Sequence, residues 1–242
     1  MNAKSNARMR LDHLLSQATD LSRKQAKIEI RKQRVSLQGA VVRDPSLLVD
    51  SDAPIEWRGE LIGLPAALYL MMHKPAGLVC ARSDPMQATV LDLLPPDVAE
   101  RVHIVGRLDK ETTGLLLLTD DGAWSHRVSS PRRGCGKVYI AELADDLVAG
   151  AEQRFAEGIR LRNEQKPTLP AELERLGPRR VRVVLHEGRY HQVRRMFAAL
   201  GNRVTALHRQ GIGGLELDAQ LQPGQWRELS DTEVAALDAR LA

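Results

Sequence analysis

Residues 106–122 constrain the fold of this chain more than any other segment. They include four consecutive leucines, 115–118, and they end with Asp121-Gly122. A short apolar run closed by a turn signal is typical of a strand buried on both faces. We therefore expect Asp109, in the polar part of the segment, on a loop carried by rigid strands, where catalytic groups are commonly placed. From the residues alone the ordinary alternative stays open, that Asp109 only accepts hydrogen bonds from nearby amides.

Strand and helix patterns are mixed around this segment without a regular βαβ rhythm. The patterns predict strands over 68–72, 138–141 and 181–186, and a short helix over 89–94 halted by Pro95-Pro96. Apolar residues at helical spacing predict a helix over 190–200, capped by Gly201, and Ser230 with Glu233 forms a capping box for a final helix. The mixture predicts an α+β fold with a mostly antiparallel mixed sheet and flanking helices.

The first part of the chain differs from the rest in charge. Residues 1–43 contain ten basic and three acidic side chains, although the whole chain has a net charge of only +4. Ser22 and Gln25 form a capping box for a basic helix, and residues 35–42 alternate as a hairpin. We expect two domains, 9–60 and 66–242, joined by the charged, glycine- and proline-containing segment 50–64.

Arg23, Lys27 and Arg31 recur at a spacing of four and line one face of the basic helix. Such a run is ordinarily a solvated surface, but these charges share one sign and lack acidic partners at i+4, which favours a phosphate-binding surface. Three runs in this part of the chain resemble the S4 RNA-binding module. They are Arg-Leu-Asp-His-Leu-Leu from residue 10, Ser-Arg-Lys-Gln-Ala from residue 22 and Arg-Val-Ser-Leu-Gln-Gly from residue 34. This resemblance implies RNA contacts by Arg10, Arg23, Lys24, Lys27, Arg31 and Arg34.

Several classes of protein are disfavoured by composition. The two cysteines, far apart in sequence, indicate neither a disulfide framework nor a metal cluster. No apolar stretch approaches 18 residues, and the first 30 residues lack the core of a signal peptide. We therefore expect a cytoplasmic protein with no metal site and no membrane partner.

Three separated motifs carry the candidate chemistry. The first contains Asp109; the second is the basic loop 129–137 leading to Tyr139; the third is Glu-Gly-Arg-Tyr-His-Gln-Val-Arg-Arg-Met over 187–196. The pattern Gly-Arg-Leu-Asp-x-x-Thr-x-Gly-Leu-Leu-Leu-Leu-Thr is unbroken over 106–119. Together, over residues 10–231, the motifs resemble bacterial pseudouridine synthases of the RsuA type, which modify ribosomal RNA.

The resemblance implies that a uridine within RNA is isomerised and that Asp109 is the catalytic carboxylate. Asp109 is then expected either to attack C1′ or to remove a C2′ proton, and the sequence does not separate these routes. Tyr139 is implied to lie against the target base, and Arg194, with Arg189 as second choice, to pair with Asp109 and keep it ionised. No cofactor is expected, because the reaction involves neither redox change nor group transfer.

The target base has to be flipped out of folded RNA into a pocket. The expected phosphate contacts around it are Lys74, Arg107, Arg132, Arg133 and Lys137, and Arg189 is a further expected RNA contact. Residues 124–132 are most similar to the branch that acts on small-subunit 16S rRNA, so 16S rRNA, alone or within an assembling particle, is the expected partner of a monomer. Two alternatives stay open: the same reaction on 23S rRNA, and a non-catalytic S4-type assembly factor.

Overall fold

The computed structural model describes residues 8–64, 66–130 and 133–241. Contacts within the chain divide it into two units, Met1–Ala66 and Ala67–Ala242. Within the described ranges, no helix combines the length and apolar character needed to cross a bilayer.

The first unit packs two helices against short strands. Its elements are β1 (Arg8–Arg10), α1 (Leu11–Ala18), α2 (Arg23–Arg31), β2 (Val35–Leu37), β3 (Ala40–Val41), β4 (Leu48–Asp50), β5 (Ile55–Trp57) and β6 (Glu60–Ile62). Leu11, Leu14 and Leu15 of α1 pack against Ala26 and Ile30 of α2. The predicted capping box is present, with Ser22 and Gln25 each bonding the other's backbone N–H.

The prediction that residues 50–64 only join two domains was wrong. They form the hairpin β5–β6, and β5 also pairs with β2. The reason is burial, since Ile55 has no exposed surface and completes the core of this unit.

The second unit is built on one large sheet. Its elements are β7 (Tyr69–Lys74), a 3₁₀ helix (Val90–Leu93), α3 (Pro96–Arg101), β8 (His103–Val105), β9 (Thr112–Thr119), α4 (Gly122–Ser129), β10 (Lys137–Leu143), α5 (Ala151–Glu157), β11 (Glu172–Arg175), β12 (Arg180–Leu185), α6 (Gln192–Ala199), β13 (Val204–Ile212), β14 (Leu215–Glu216), β15 (Trp226–Glu228) and α7 (Asp231–Leu241). The strand order is β11-β12-β10-β13-β9-β7-β15, with β8 also on β9 and β14 on β13. β9 and β13 run parallel, and the other named pairs are antiparallel. The predicted α+β fold with a mostly antiparallel mixed sheet is confirmed.

β9 is buried on both faces, as predicted. Leu115, Leu116, Leu117 and Leu118 have no exposed surface. Leu116 and Leu118 belong to the larger apolar cluster, whereas Leu115 and Leu117 pack with Trp124 in the cluster on the other side. This strand therefore holds the end of the preceding loop, which carries Asp109, in a fixed position.

Two elements of this unit were missing from the sequence predictions. The predicted short helix is present as the 3₁₀ helix and ends before Pro95-Pro96, but a second helix, α3, begins at Pro96, because proline has a preset φ and needs no N–H donor at the first helical position. The nine-residue β13 was not predicted, although it lies at the centre of the sheet. Its polar residues obscure the strand pattern, and its burial comes from neighbours distant in sequence.

Candidate active site

Asp109 lies on the loop between β8 and β9, and Lys74 anchors this loop from the core. The Lys74 ammonium group donates to the carbonyls of Pro75, Lys110 and Thr112 at 2.8, 3.0 and 2.9 Å. The backbone N–H of Gly77 also donates to the Lys110 carbonyl, at 2.9 Å. The loop is therefore tied to the end of β7.

This arrangement contradicts the prediction that Lys74 contacts phosphate. The side chain has no exposed surface, and burial lowers its pKa, opposed by the negative charge of Cys80, Glu111 and Asp109 when these are ionised. A buried ammonium group requires acceptors, and here the backbone of the loop provides three. Lys74 is thus a structural support of the loop.

The Asp109 carboxylate opens into a cavity of about 1070 Å³. The carboxylate keeps a third of its surface exposed, and its Oδ1 lies 3.4 Å from Nε2 of His191. The same cavity is lined by Thr113 at the start of β9, Arg194 of α6, and His208 of β13. Residues separated by almost 100 positions in sequence therefore line one cavity with this carboxylate.

The side chain beside Asp109 differs from the prediction. Arg194 lines the cavity, but its guanidinium donates to the Val204 carbonyl at 3.0 Å. Among the described residues, the basic side chain that contacts the Asp109 carboxylate is His191, which carries a charge only when it is protonated. The second choice, Arg189, is bound to Glu164 and Glu187. His191 stands just before α6 and Arg194 lies in its first turn. Because side-chain direction is set by position along the helix, His191 reaches the Asp109 loop, whereas Arg194 reaches the start of β13.

His191 is the functional candidate that sequence reasoning missed. It precedes α6 in the left-handed backbone region, with φ of 47°, which is uncommon for a residue with a side chain. Gln192 holds the turn, because its side chain accepts from the Arg189 N–H and donates to Glu187. In the sequence, the only signal was a histidine between a polar run and an amphipathic helix.

Two arginines on either side of His191 bind the same carboxylate. Arg189 and Arg195 both donate to Glu164, and both also donate to backbone carbonyls of residues 162–167. These hydrogen bonds and charges lower the pKa of Glu164. Arg189 was predicted to contact RNA, but its donors are directed to the segment around Glu164. These bonds hold the residues that precede α6 against that segment.

Tyr139 lies in the sheet beside the cavity. It is 9% exposed, belongs to the larger apolar cluster, and pairs across the sheet with Val183 and Arg209. Its neighbour Ile140 lines the cavity, whereas Tyr139 is not among the described residues that line it. Successive strand residues point to opposite faces, which accounts for the difference.

The remaining predicted phosphate contacts of the second unit have different environments. Arg107 and Arg133 are exposed. Lys137 is half-buried and donates to the Cys135 carbonyl at 3.3 Å, and burial lowers its pKa. Arg132 lies outside the described residues. Where the chain is described, no group of three or more His, Cys, Asp or Glu side chains could hold a metal ion.

The basic helix of the first unit lacks acidic partners at i+4, as the sequence shows, but it has one on the neighbouring helix, so fewer of its charges are free for phosphate than predicted. Arg10, Arg23 and Lys27 converge on Asp12 of α1, whose side chain has no exposed surface. The hydrogen bond from Arg10 is the main reason that the pKa of Asp12 is lowered. Spacing along α2 could not show this, because the carboxylate comes from α1.

Other basic side chains of this unit differ in whether they have an acidic partner. Arg34 pairs with Glu29 at 3.0 Å, and Arg58 binds the same carboxylate. Lys24 and Arg31 are exposed, and neither forms an ion pair with any residue that the structure describes. These two are therefore the cations of α2 that are most available to an anionic partner.

Comparison with known proteins agrees with this geometry. Residues 68–199 match the family model of RNA pseudouridylate synthase. The chain is 46% identical over 232 residues to the ribosomal small subunit pseudouridine synthase A of Yersinia pestis, covering 96% of this chain and 99% of that protein. It is 45% identical over 230 residues to the protein of the same name from Escherichia coli K12, covering 95% and 100%.

A solved structure described as a pseudouridylate synthase shares the fold. It superposes with a TM-score of 0.70 at 42% identity, and the match covers 95% of this chain and 99% of that one. The family model matches more than half of the chain and spans the Asp109 loop, β10 and α6. This chain belongs to the RNA pseudouridylate synthase family.

Proposed function

We propose that the protein isomerises a uridine to pseudouridine in 16S ribosomal RNA. The observation that carries the proposal is the Asp109 carboxylate, which lies on a loop held by a buried lysine, at the wall of a cavity large enough for a flipped-out nucleotide. The names of the small-subunit relatives support 16S over 23S rRNA. Because both kinds of rRNA present the same reacting group, the residues at the carboxylate do not by themselves favour one.

The reaction breaks the bond between N1 of uracil and C1′, and forms a bond between C5 and C1′. C5 loses a proton and N1 gains one, so the atoms balance and no cofactor is required. Asp109 either attacks C1′ or removes the C2′ proton, and both routes require an ionised carboxylate at the sugar. Positive charge beside Asp109 favours that form.

His191 is placed to orient Asp109 before RNA binds, since it contacts the carboxylate directly. Arg194 lines the same cavity and is proposed to bring its charge to Asp109 or to the RNA in the complex. Tyr139 is proposed to assist deprotonation at C5, which requires its ring, packed in the larger apolar cluster, to become accessible when the base enters.

The first unit is proposed to be an S4-like RNA-binding domain, separate from the catalytic unit. Its support is the cluster of cations on α1 and α2, which places more positive than negative charge around Asp12. We further propose that the protein acts in the cytoplasm, as a monomer, on free rRNA or an assembling small subunit.

The test is tritium release from a 16S transcript labelled at C5 of uridine, with purified protein and no added cofactor. We expect one equivalent per transcript, none with Asp109→Asn, and wild-type release with Asp97→Asn, an exposed carboxylate on α3. RNA affinity of Asp109→Asn should stay close to wild type, because the substitution removes one charge at the site of chemistry. Residual turnover within about tenfold of wild type would contradict the role of Asp109.

Further substrates separate the alternatives. If naked transcript gives no release, a protein-bound subparticle is assayed next, and then 23S rRNA in the same way. Release from 23S rRNA alone would overturn the 16S assignment. If the Asp109→Asn protein corrects every cellular defect of a deletion strain, the result would favour a non-catalytic assembly factor.

A further inference from the structure

The structure has one ordered aromatic ring that packing does not explain. The chain contains three Trp, three Tyr and two Phe residues. Seven of these eight rings are buried or half-buried, whereas Tyr190 is 77% exposed. A large ring usually finds apolar cover when a fold provides it, so the open position of Tyr190 indicates a surface for a partner.

The Tyr190 ring is held in a defined orientation. It stacks on the ring of His191, with centroids 3.8 Å apart and planes inclined by 18°. The Tyr190 carbonyl accepts from Arg195 at 3.1 Å, and Arg195 is in turn held by Glu164. With His191 covering one face, the other face of the ring is free to stack.

The position of the ring relates it to the reaction. His191, which supports the ring, is the residue whose Nε2 lies 3.4 Å from Asp109. A planar group stacked on Tyr190 would therefore be separated from the catalytic carboxylate by the rings of Tyr190 and His191. An unpaired base is the planar group that RNA presents there, because flipping the target uridine breaks its stacking with both neighbours.

We propose that Tyr190 is a stacking platform for the base of a nucleotide that flanks the target uridine. The inference rests on the proposed function, because it takes RNA as the substrate. Stacking on an aromatic ring accepts any base, so the platform contributes affinity and position, and base identity is read elsewhere. Because the ring is already ordered on His191, little conformational freedom is lost when the base arrives.

The experiment measures RNA affinity and turnover of the full-length protein with Tyr190 replaced by Phe, Leu or Ala. The ligand is an RNA fragment containing the uridine identified by tritium release, with either the natural base or an abasic ribose at each flanking position. Leu176→Ala is the matched control, since Leu176 is also an exposed apolar residue, at the β11–β12 turn.

We expect Tyr190→Ala and Tyr190→Leu to raise Kd roughly 5- to 150-fold, as expected for one lost stack. The value of kcat at saturating RNA should stay within about twofold of wild type. Tyr190→Phe and Leu176→Ala should bind as wild type does. With one of the two abasic RNAs, wild type and Tyr190→Ala should bind equally, because the stacking partner is gone.

Four outcomes would overturn the platform. They are an unchanged Kd for Tyr190→Ala, full rescue by Leu, a loss of kcat with unchanged Kd, and a loss of affinity that persists with both abasic RNAs. The third would mean that the ring only holds His191 in place. Absence of tritium release by wild type would instead refute the proposed function. In that case, an abasic ribose placed next to each uridine of an RNA fragment that the protein binds would still show whether Tyr190 stacks on a base.

Discussion

A lysine side chain ordinarily keeps its ammonium group in water, but Lys74 has none of its surface exposed. Three backbone carbonyls replace the lost water, and two of them belong to the segment that follows Asp109. At the scale of single residues, the position of the Asp109 carboxylate therefore depends on a buried cation that donates to the backbone of its loop. A sequence motif cannot distinguish this lysine from one that binds phosphate.

Lys74→Met tests this role. We expect a loss of roughly 3 kcal/mol in the free energy of unfolding, because the Pro75 and Thr112 carbonyls lose their Lys74 donor and the Lys110 carbonyl keeps only that of Gly77. We also expect a loss of turnover, because the Asp109 loop is released. Urea unfolding and tritium release measure the two effects.

Lys110→Met, which removes an exposed lysine from the same loop, should leave the free energy of unfolding within about 0.5 kcal/mol of wild type. A Lys74→Met protein of unchanged stability, with weaker RNA binding only, would restore Lys74 as a phosphate contact.

At the scale of elements, β9 and β13 can lie side by side because Gly114 has no side chain. A Cβ atom at Gly114 would lie 2.2 Å from the carbonyl oxygen of Arg209, and φ there is +106°. This close pair joins the Asp109 loop to the strand that carries His208.

The end of the sheet is joined to α7 by an ion pair, in which Arg227 of β15 binds Glu233 at 2.8 Å.

The Arg227–Glu233 contact makes a pH-dependent contribution to stability. Hydrogen bonds from Arg227 are the main reason that the pKa of Glu233 is lowered from 4.5 to about 2. A carboxyl with a lowered folded-state pKa stabilises fully above its unfolded pKa, and this stabilisation is lost as the pH falls from 4.5 towards 2. We expect Glu233→Gln to be less stable than wild type by about 1–2 kcal/mol at pH 6.

This difference should disappear as the pH approaches 2, as measured by urea unfolding at several pH values. Glu228→Gln, at an exposed carboxylate of β15, should match wild type throughout. A deficit of Glu233→Gln that does not change with pH would show that its cause is not the ionised carboxylate.

At the scale of the whole molecule, positive charge is concentrated in the first 43 residues, which carry ten of the 35 basic side chains and only three of the 31 acidic ones. Within that segment, part of the charge is bound by Asp12 and Glu29. The cations without such partners should dominate any contact with phosphate, since no internal ion pair has to be broken.

Replacing Lys24 and Arg31 together by Ala should weaken binding to any rRNA fragment. The slope of log Kd against log salt concentration should fall by about 1 for each residue, because fewer counterions are released. Arg154→Ala, at an exposed arginine of α5, should leave the slope unchanged. An unaltered slope for the double variant would show that this face of α2 does not contact RNA.

Local patterns were sufficient to predict β9, the capping boxes of α2 and α7, and α6, because periodicity and caps involve residues a few positions apart. The sequence motif also identified the family, and it is the basis on which Asp109 is proposed as the catalytic residue. Only the tertiary structure decided that Lys74 is buried, that His191 reaches Asp109, and that Asp12 neutralises part of the basic helix. Each of these depends on two segments far apart in sequence, and the order of strands in the sheet, or the packing of α1 on α2, determines which segments meet.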